Sequence, residues 1–165
     1  MTRLALAPVG AGDASALHAM LLALAEGDGV AEVRTTVAAL GAALSGPVPL
    51  VVAHFIISDG DVAGFTMHSW KWGTFTGVAD LYLNALYVRP EHRRHGAARW
   101  AMAELARIAV AAGCTRIEWL TVGARTGTAA FYDAIGSTPA SHMTPRRLHG
   151  QALRALVNEQ RGQIA

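Results

Sequence analysis

Between Leu81 and Val122 the chain changes periodicity twice, and few folds accommodate such a change. Residues 81 to 88 form an apolar run rich in strand-forming side chains, closed by Pro90, whose missing N–H and fixed φ discourage further pairing. From Gly96 to Ala112 the pattern is helical, with Ala101, Leu105, Ile108 and Ala112 at helical spacing and Gly113 as a stop. Arg116 to Val122 returns to a strand pattern. Strand, crossover helix and strand in that order predict a right-handed βαβ unit, and so an α/β fold.

The rest of the chain supplies further layers. Residues 3 to 7 read as a first strand, and Asp13 offers an N-cap oxygen to a helix that places Leu17, Met20, Leu21 and Leu24 on one face. Thr35 or Thr36 caps a second helix carrying Val37, Leu40 and Leu44, stopped by Gly46 and Pro47. Residues 50 to 57 and 62 to 68 flank Asp59-Gly60, a pair suited to a tight hairpin turn. Residues 127 to 135 read as a short helix ending at Gly136, a last strand is expected within 138 to 148, and Gln151 to Gln160 reads as an amphipathic helix. The expectation is a mixed sheet of about six to seven strands flanked by helices. At 165 residues, a single domain over 1–165 is expected.

With 52% hydrophobic and 16% charged residues, the chain has enough apolar material for a core and lies far from the composition of disorder. The net charge of +2 is spread over scattered arginines, which argues against a nucleic-acid-binding stripe. Cys114 is solitary, so no internal disulfide is expected, and it reads as a small buried hydrophobe rather than a nucleophile. No convincing signal peptide and no apolar run near the ~20 residues of a membrane span is seen, so a soluble cytoplasmic protein is expected. Seven histidines and one cysteine show no metal-ligand spacing, and no metal is expected.

Residues 88 to 98 read Val-Arg-Pro-Glu-His-Arg-Arg-His-Gly-Ala-Ala. The first N–H groups of a helix lack internal partners and lie at the positive end of its dipole, so they can coordinate phosphate oxygens. Gly96, Ala97 and Ala98 allow close approach to that backbone, and Arg93, Arg94 and His95 add polar and cationic groups. Taken alone the segment is equally an ordinary basic helix start. Its place after a strand, ahead of a long helix, a second strand and then Phe131-Tyr132 before Gly136, favours the anion-binding reading.

This stretch resembles the GCN5-related N-acetyltransferase superfamily, whose acetyl-CoA signature Arg/Gln-x-x-Gly-x-Gly/Ala is matched by Arg93, Gly96 and Ala98, and whose Phe-Tyr pair and glycine are matched by Phe131, Tyr132 and Gly136. Tyr82-Leu83-Asn84-Ala85-Leu86-Tyr87-Val88 and Ile117-Glu118-Trp119 are similar to segments of the diamine (spermidine/spermine-like) branch. The likeness is clear over residues 60 to 156. It implies that acetyl-CoA lies between strands 81–88 and 115–122, splayed apart, held by the main chain of Leu86, Tyr87 and Val88 and by Arg93 to Ala98, with Phe131 nearby. It further implies direct transfer of the acetyl group to a primary amine of a small molecule, diamine/polyamine-like or amino-acid-like, through a tetrahedral intermediate, an oxyanion donor near Tyr87 or Val88, Tyr132 as general acid, and a homodimer.

Acceptor chemistry is less legible. An amine near pKa 10 must lose a proton before attack, so a base, a water chain or a pKa-lowering site is required. Glu118 is a candidate base or a partner of Arg116, with His68 and Asp80 behind it; Asn84 can hydrogen-bond an amine or serve the strand. The branch's acidic Glu-Asp pair is replaced here by Asn84 and Ala85, and its Trp-Asn by Ala124 and Arg125. Asn84, Trp119 and Arg125 are the candidate acceptor contacts, and the loss of acids disfavours a polycation. Trp70, Trp72 and Phe75, read as loop residues, either line an acceptor pocket or fold onto the core or a partner. A non-catalytic acyl-CoA-binding module with a decayed acceptor site is the alternative.

Overall fold

The computed structural model describes residues 2–121, 126–141 and 143–162. The chain forms two compact units, Met1–Ala129 and Ala130–Ala165. The first contains one sheet whose strands lie in chain order: β1 (Leu4–Pro8), β2 (Val52–Ser58), β3 (Asp61–Trp72), β4 (Ala79–Val88) and β5 (Ile117–Glu118). The first three pairings are antiparallel and the last is parallel, as the strand–helix–strand order requires.

Local chemistry explains most of the boundaries. The β2–β3 turn places both Asp59 (φ 52°) and Gly60 (φ 99°) at positive φ, the backbone that a two-residue hairpin demands. Thr36 caps α2 (Val37–Ala43) by accepting from the Ala39 amide at 3.1 Å. Asp13 behaves differently from expectation, because its carboxylate accepts from the Gly10 amide and makes no cap bond to α1 (Ala14–Gly27).

Helices cover both faces of the sheet. Leu17 and Met20 of α1 and Leu40 of α2 pack with Ala53, Phe65, Ala85 and Tyr87, and strand alternation puts those sheet residues on one face. On the other face, Ala97 and Ala101 of α3 (Ala97–Ala111) pack with Ile56 and Val88. Burying a large aliphatic or aromatic side chain contributes roughly 1.5–3 kcal/mol, so these two clusters hold the helices to the sheet. Gly64 lets β3 and β4 touch: a Cβ there would stand 2.0 Å from the Tyr87 carbonyl oxygen.

Among the described residues the sheet has five strands rather than six or seven. Among the described residues of 137–149 there is no strand, and Pro139 and Pro145, which cannot donate to a ladder, account for that. Among the described residues, the strand expected over 116–122 contracts to Ile117–Glu118, the two residues that pair with β4. The short helix is α4 (Thr126–Ala134), which begins in the first unit and ends in the second, and the terminal helix is α5 (Gly150–Gly162). Gly136 (φ 88°) ends the turn after α4, its amide donating to the Asp133 carbonyl.

Candidate active site

The site is built from the outer edge of β4. Leu81 and Tyr82 pair with Ile117 and Glu118, and beyond them residues 83–88 have no ladder partner on that edge among the described residues. On the inner edge, Met67 pairs with Ala85 and His68 with Leu83, which leaves exposed Asn84 as the extra residue of a bulge. A bulge switches which residues turn their main chain to each side. Before it, the Leu81 amide donates to Arg116 of the β5 side; after it, the Arg89 amide donates to Ala63 of β3. The main-chain groups of Leu86 and Val88 therefore face the open edge, as a cleft between diverging strands requires.

The arginine-rich turn closes one end of this edge. After a 3-10 turn at Pro90–His92, Arg93 is extended, Arg94 (φ 64°) is left-handed, and Gly96 (φ 83°) is the N-cap of α3. No side chain caps that helix, so its first amides are not used by a cap residue. A Cβ at Gly96 would meet nothing within 4 Å. Arg93, Arg94, His95 and Gly96 are all exposed, while Ala97 anchors the helix in the core. Arg93 is tied back: its Nε donates to the Val88 carbonyl at 2.8 Å, and its guanidinium sits 5.9 Å from the Tyr87 ring centre. The geometry is that of an open, positively biased helix start beside a free strand edge, suited to an extended ligand with a diphosphate at one end.

The candidate bases are placed unequally. Glu118 bonds Lys71 through one carboxylate oxygen and Arg116 through the other, the latter at 3.1 Å. Asp80 is fully buried and accepts from Arg116 at 2.7 Å. Those contacts hold the Arg116 guanidinium above its ordinary pKa, with the Asp80 hydrogen bond as the main cause. His68 lies on the α3 face, stacked with His54 at 6.0 Å, with its Nδ1 unpartnered. Burial, and then His54, lowers the His68 pKa to about 4, so the ring is neutral at pH 7. Sequence offered no signal for this histidine pair, because Val52↔His68 and His54↔Thr66 become neighbours only through strand register.

That depressed pKa has a measurable consequence. An unfolded histidine titrates near 6.5, so below that pH the unfolded chain takes a proton that the native chain refuses. Stability is full above about pH 6.5 and falls as pH drops towards 4, by about 3 kcal/mol. Urea unfolding midpoints at pH 7 and 4.5 should show this loss, and His68→Leu should remove most of it. Equal pH slopes in the two proteins would contradict the assignment.

Other candidates fall into four groups. Trp119 is half-buried just after β5. Trp70 and Trp72 lie on β3 rather than in a loop; both are exposed, as is Phe75. Phe131 and Tyr132 sit together on α4 with ring centres 5.1 Å apart, half-buried in the second unit. Ala124 and Arg125 lie outside the described residues. Among the described residues no group of three metal-binding side chains occurs, and no helix is long and apolar enough to cross a membrane.

Known proteins are similar to this chain in sequence or in fold. The chain is 27% identical over 100 residues to an L-ornithine N5-acetyltransferase of Arabidopsis thaliana, covering 61% of this chain and 44% of that protein. It is 29% identical over 100 residues to a thialysine N-epsilon-acetyltransferase of Caenorhabditis elegans, covering 59% and 62%. The matched region thus spans less than two thirds of either relative. An integron cassette protein from the mobile metagenome of V. cholerae has the same fold, with a TM-score of 0.76, 20% identity, and coverage of 93% of this chain and 97% of that one. A model described as the Acetyltransferase (GNAT) family matches residues 44–136, more than half of the sequence, and the chain belongs to that family.

Proposed function

We propose that this chain, acting as one domain, is an N-acetyltransferase that takes the acetyl group of acetyl-CoA and passes it to a primary amine of a small molecule. The observation that carries the reading is the exposed, uncapped start of α3 at Gly96 beside an open β4 edge. In this reading the amides at Gly96, Ala97 and Ala98 hold the diphosphate, with Arg94 and His95 adding charge or hydrogen bonds at the rim. Arg93, already bonded to Val88, braces the turn. The pantetheine arm follows Leu86, Tyr87 and Val88, whose free edge supplies main-chain partners.

The proposed chemistry is direct transfer through a tetrahedral intermediate. As the amine nitrogen attacks the thioester carbonyl, negative charge grows on its oxygen, and the Val88 amide is the donor aimed into the cleft. Collapse breaks the C–S bond, and Tyr132 donates the proton that the thiolate requires. The amine's proton leaves through water or a carboxylate.

Asn84 and Trp119 are proposed to contact the acceptor, with Arg125 as a further contact. The curated relatives are named for ornithine and thialysine, both amino acids with a terminal amine. With Asn84 and Ala85 where an acidic pair would attract a polycation, we favour an amino-acid-like acceptor. A homodimer and a cytoplasmic setting belong to the same reading. A thiol-release assay with acetyl-CoA against amino acids, diamines and aminoglycosides tests it, with turnover expected on ornithine- or thialysine-like amines. Acetyl-CoA affinity without turnover on any amine would favour a non-catalytic acyl-CoA-binding module instead.

A further inference from the structure

The parallel ladder between β4 and β5 is short for the task it has. It comprises Leu81↔Ile117 and Tyr82↔Glu118, and at its start the Leu81 amide donates to the Arg116 carbonyl at 3.3 Å. Slanted parallel pairing is the weaker kind, and two rungs alone hold a strand poorly. Yet this is the point from which the two strands must diverge at a fixed distance.

Charged side chains reinforce that point. Strand alternation places Lys71, Asp80 and Glu118 on one face, and Lys71 lies directly across from Asp80. Arg116 bridges two carboxylates, with Nη2 to Asp80 at 2.7 Å and Nε to Glu118 at 3.1 Å. The second oxygen of Glu118 takes Lys71. Two cations and two anions thereby tie β3, β4 and the start of β5 together. Asp80 is fully buried, so its pairing with Arg116 is the contact least open to exchange with water.

We propose that Lys71, Asp80, Arg116 and Glu118 form an ionic clasp that sets the separation of β4 and β5 at the thioester end of the cleft. They are positioning residues. Glu118 is then no general base, because both of its oxygens already bond cations. The inference rests on reading the cleft as the seat of the pantetheine arm.

The test compares two ligands by calorimetry: acetyl-CoA, which spans the whole cleft, and 3′-phospho-ADP, which reaches only the turn at Gly96. Lys71→Met and Glu118→Gln, both at the solvent side of the cluster, should weaken acetyl-CoA about tenfold while changing the nucleotide less than about twofold, because only the arm depends on strand spacing. Lys71→Arg should restore acetyl-CoA affinity. The pH profile of kcat for Glu118→Gln should keep its shape. Unchanged acetyl-CoA affinity, equal weakening of both ligands, or loss of a limb of that profile would each overturn the clasp. Wild-type protein that binds neither ligand would overturn the cleft reading itself, and the clasp with it.

Discussion

Tyr132→Phe is expected to lower kcat by about 10²- to 10³-fold while leaving acetyl-CoA affinity within about twofold, as loss of one positioned proton donor would. The substitution removes a single hydroxyl and keeps the ring that packs against Phe131 at 5.1 Å. An ordinary phenol titrates near 10 and a thiol near 8.5, so proton donation to a departing thiolate is uphill by only about 2 kcal/mol, within reach of a positioned donor. Without the donor, the thiolate leaves unprotonated or waits for water. Steady-state kinetics at saturating acetyl-CoA, with binding measured separately, decide the matter. Turnover like that of the wild type would remove Tyr132 from the mechanism and leave it a packing residue.

Gly96→Val should have the other large effect, weakening acetyl-CoA by about 30-fold or more. Gly96 has φ 83°, a region that a β-branched residue adopts only under strain. The valine must therefore either distort the first turn of α3 or project its methyls from the turn into the surrounding open space. Distortion moves the amides, and projection keeps a diphosphate from reaching them. Because Ala97 and Ala101 hold the rest of α3 in the core, the fold should survive, with about 1–3 kcal/mol lost from stability. Calorimetry on protein with a native near-ultraviolet circular dichroism spectrum separates the two effects. A folded variant that binds acetyl-CoA normally would show that the diphosphate rests elsewhere.

Much of this architecture is legible in the amino acids because local chemistry decides it. Asp59-Gly60 announces its hairpin through positive φ, Pro90 ends β4, and the helical spacing of Ala101 and Leu105 marks the buried side of α3. The turn from Arg93 to Ala98 reads correctly as a helix start for the same reason. What sequence does not disclose depends on register. The bulge at Asn84 arises from pairing with β3, yet it decides that Val88 rather than Tyr87 presents its main chain to the open edge. The engagement of Glu118 by two cations is equally a product of register, since Lys71 lies 47 residues away in sequence. Pairing is also not legible locally: residues 138–148 contain two prolines, and among the described residues of 116–122 only Ile117 and Glu118 pair with β4.

The account depends most on the amides that open α3. Titrating unlabelled coenzyme A into ¹⁵N-labelled protein reads them one by one. The account predicts that the largest chemical-shift changes fall on the backbone amides of Gly96, Ala97 and Ala98, with smaller changes along Leu86 to Val88. Shifts confined to other parts of the chain, or none at millimolar coenzyme A, would contradict it.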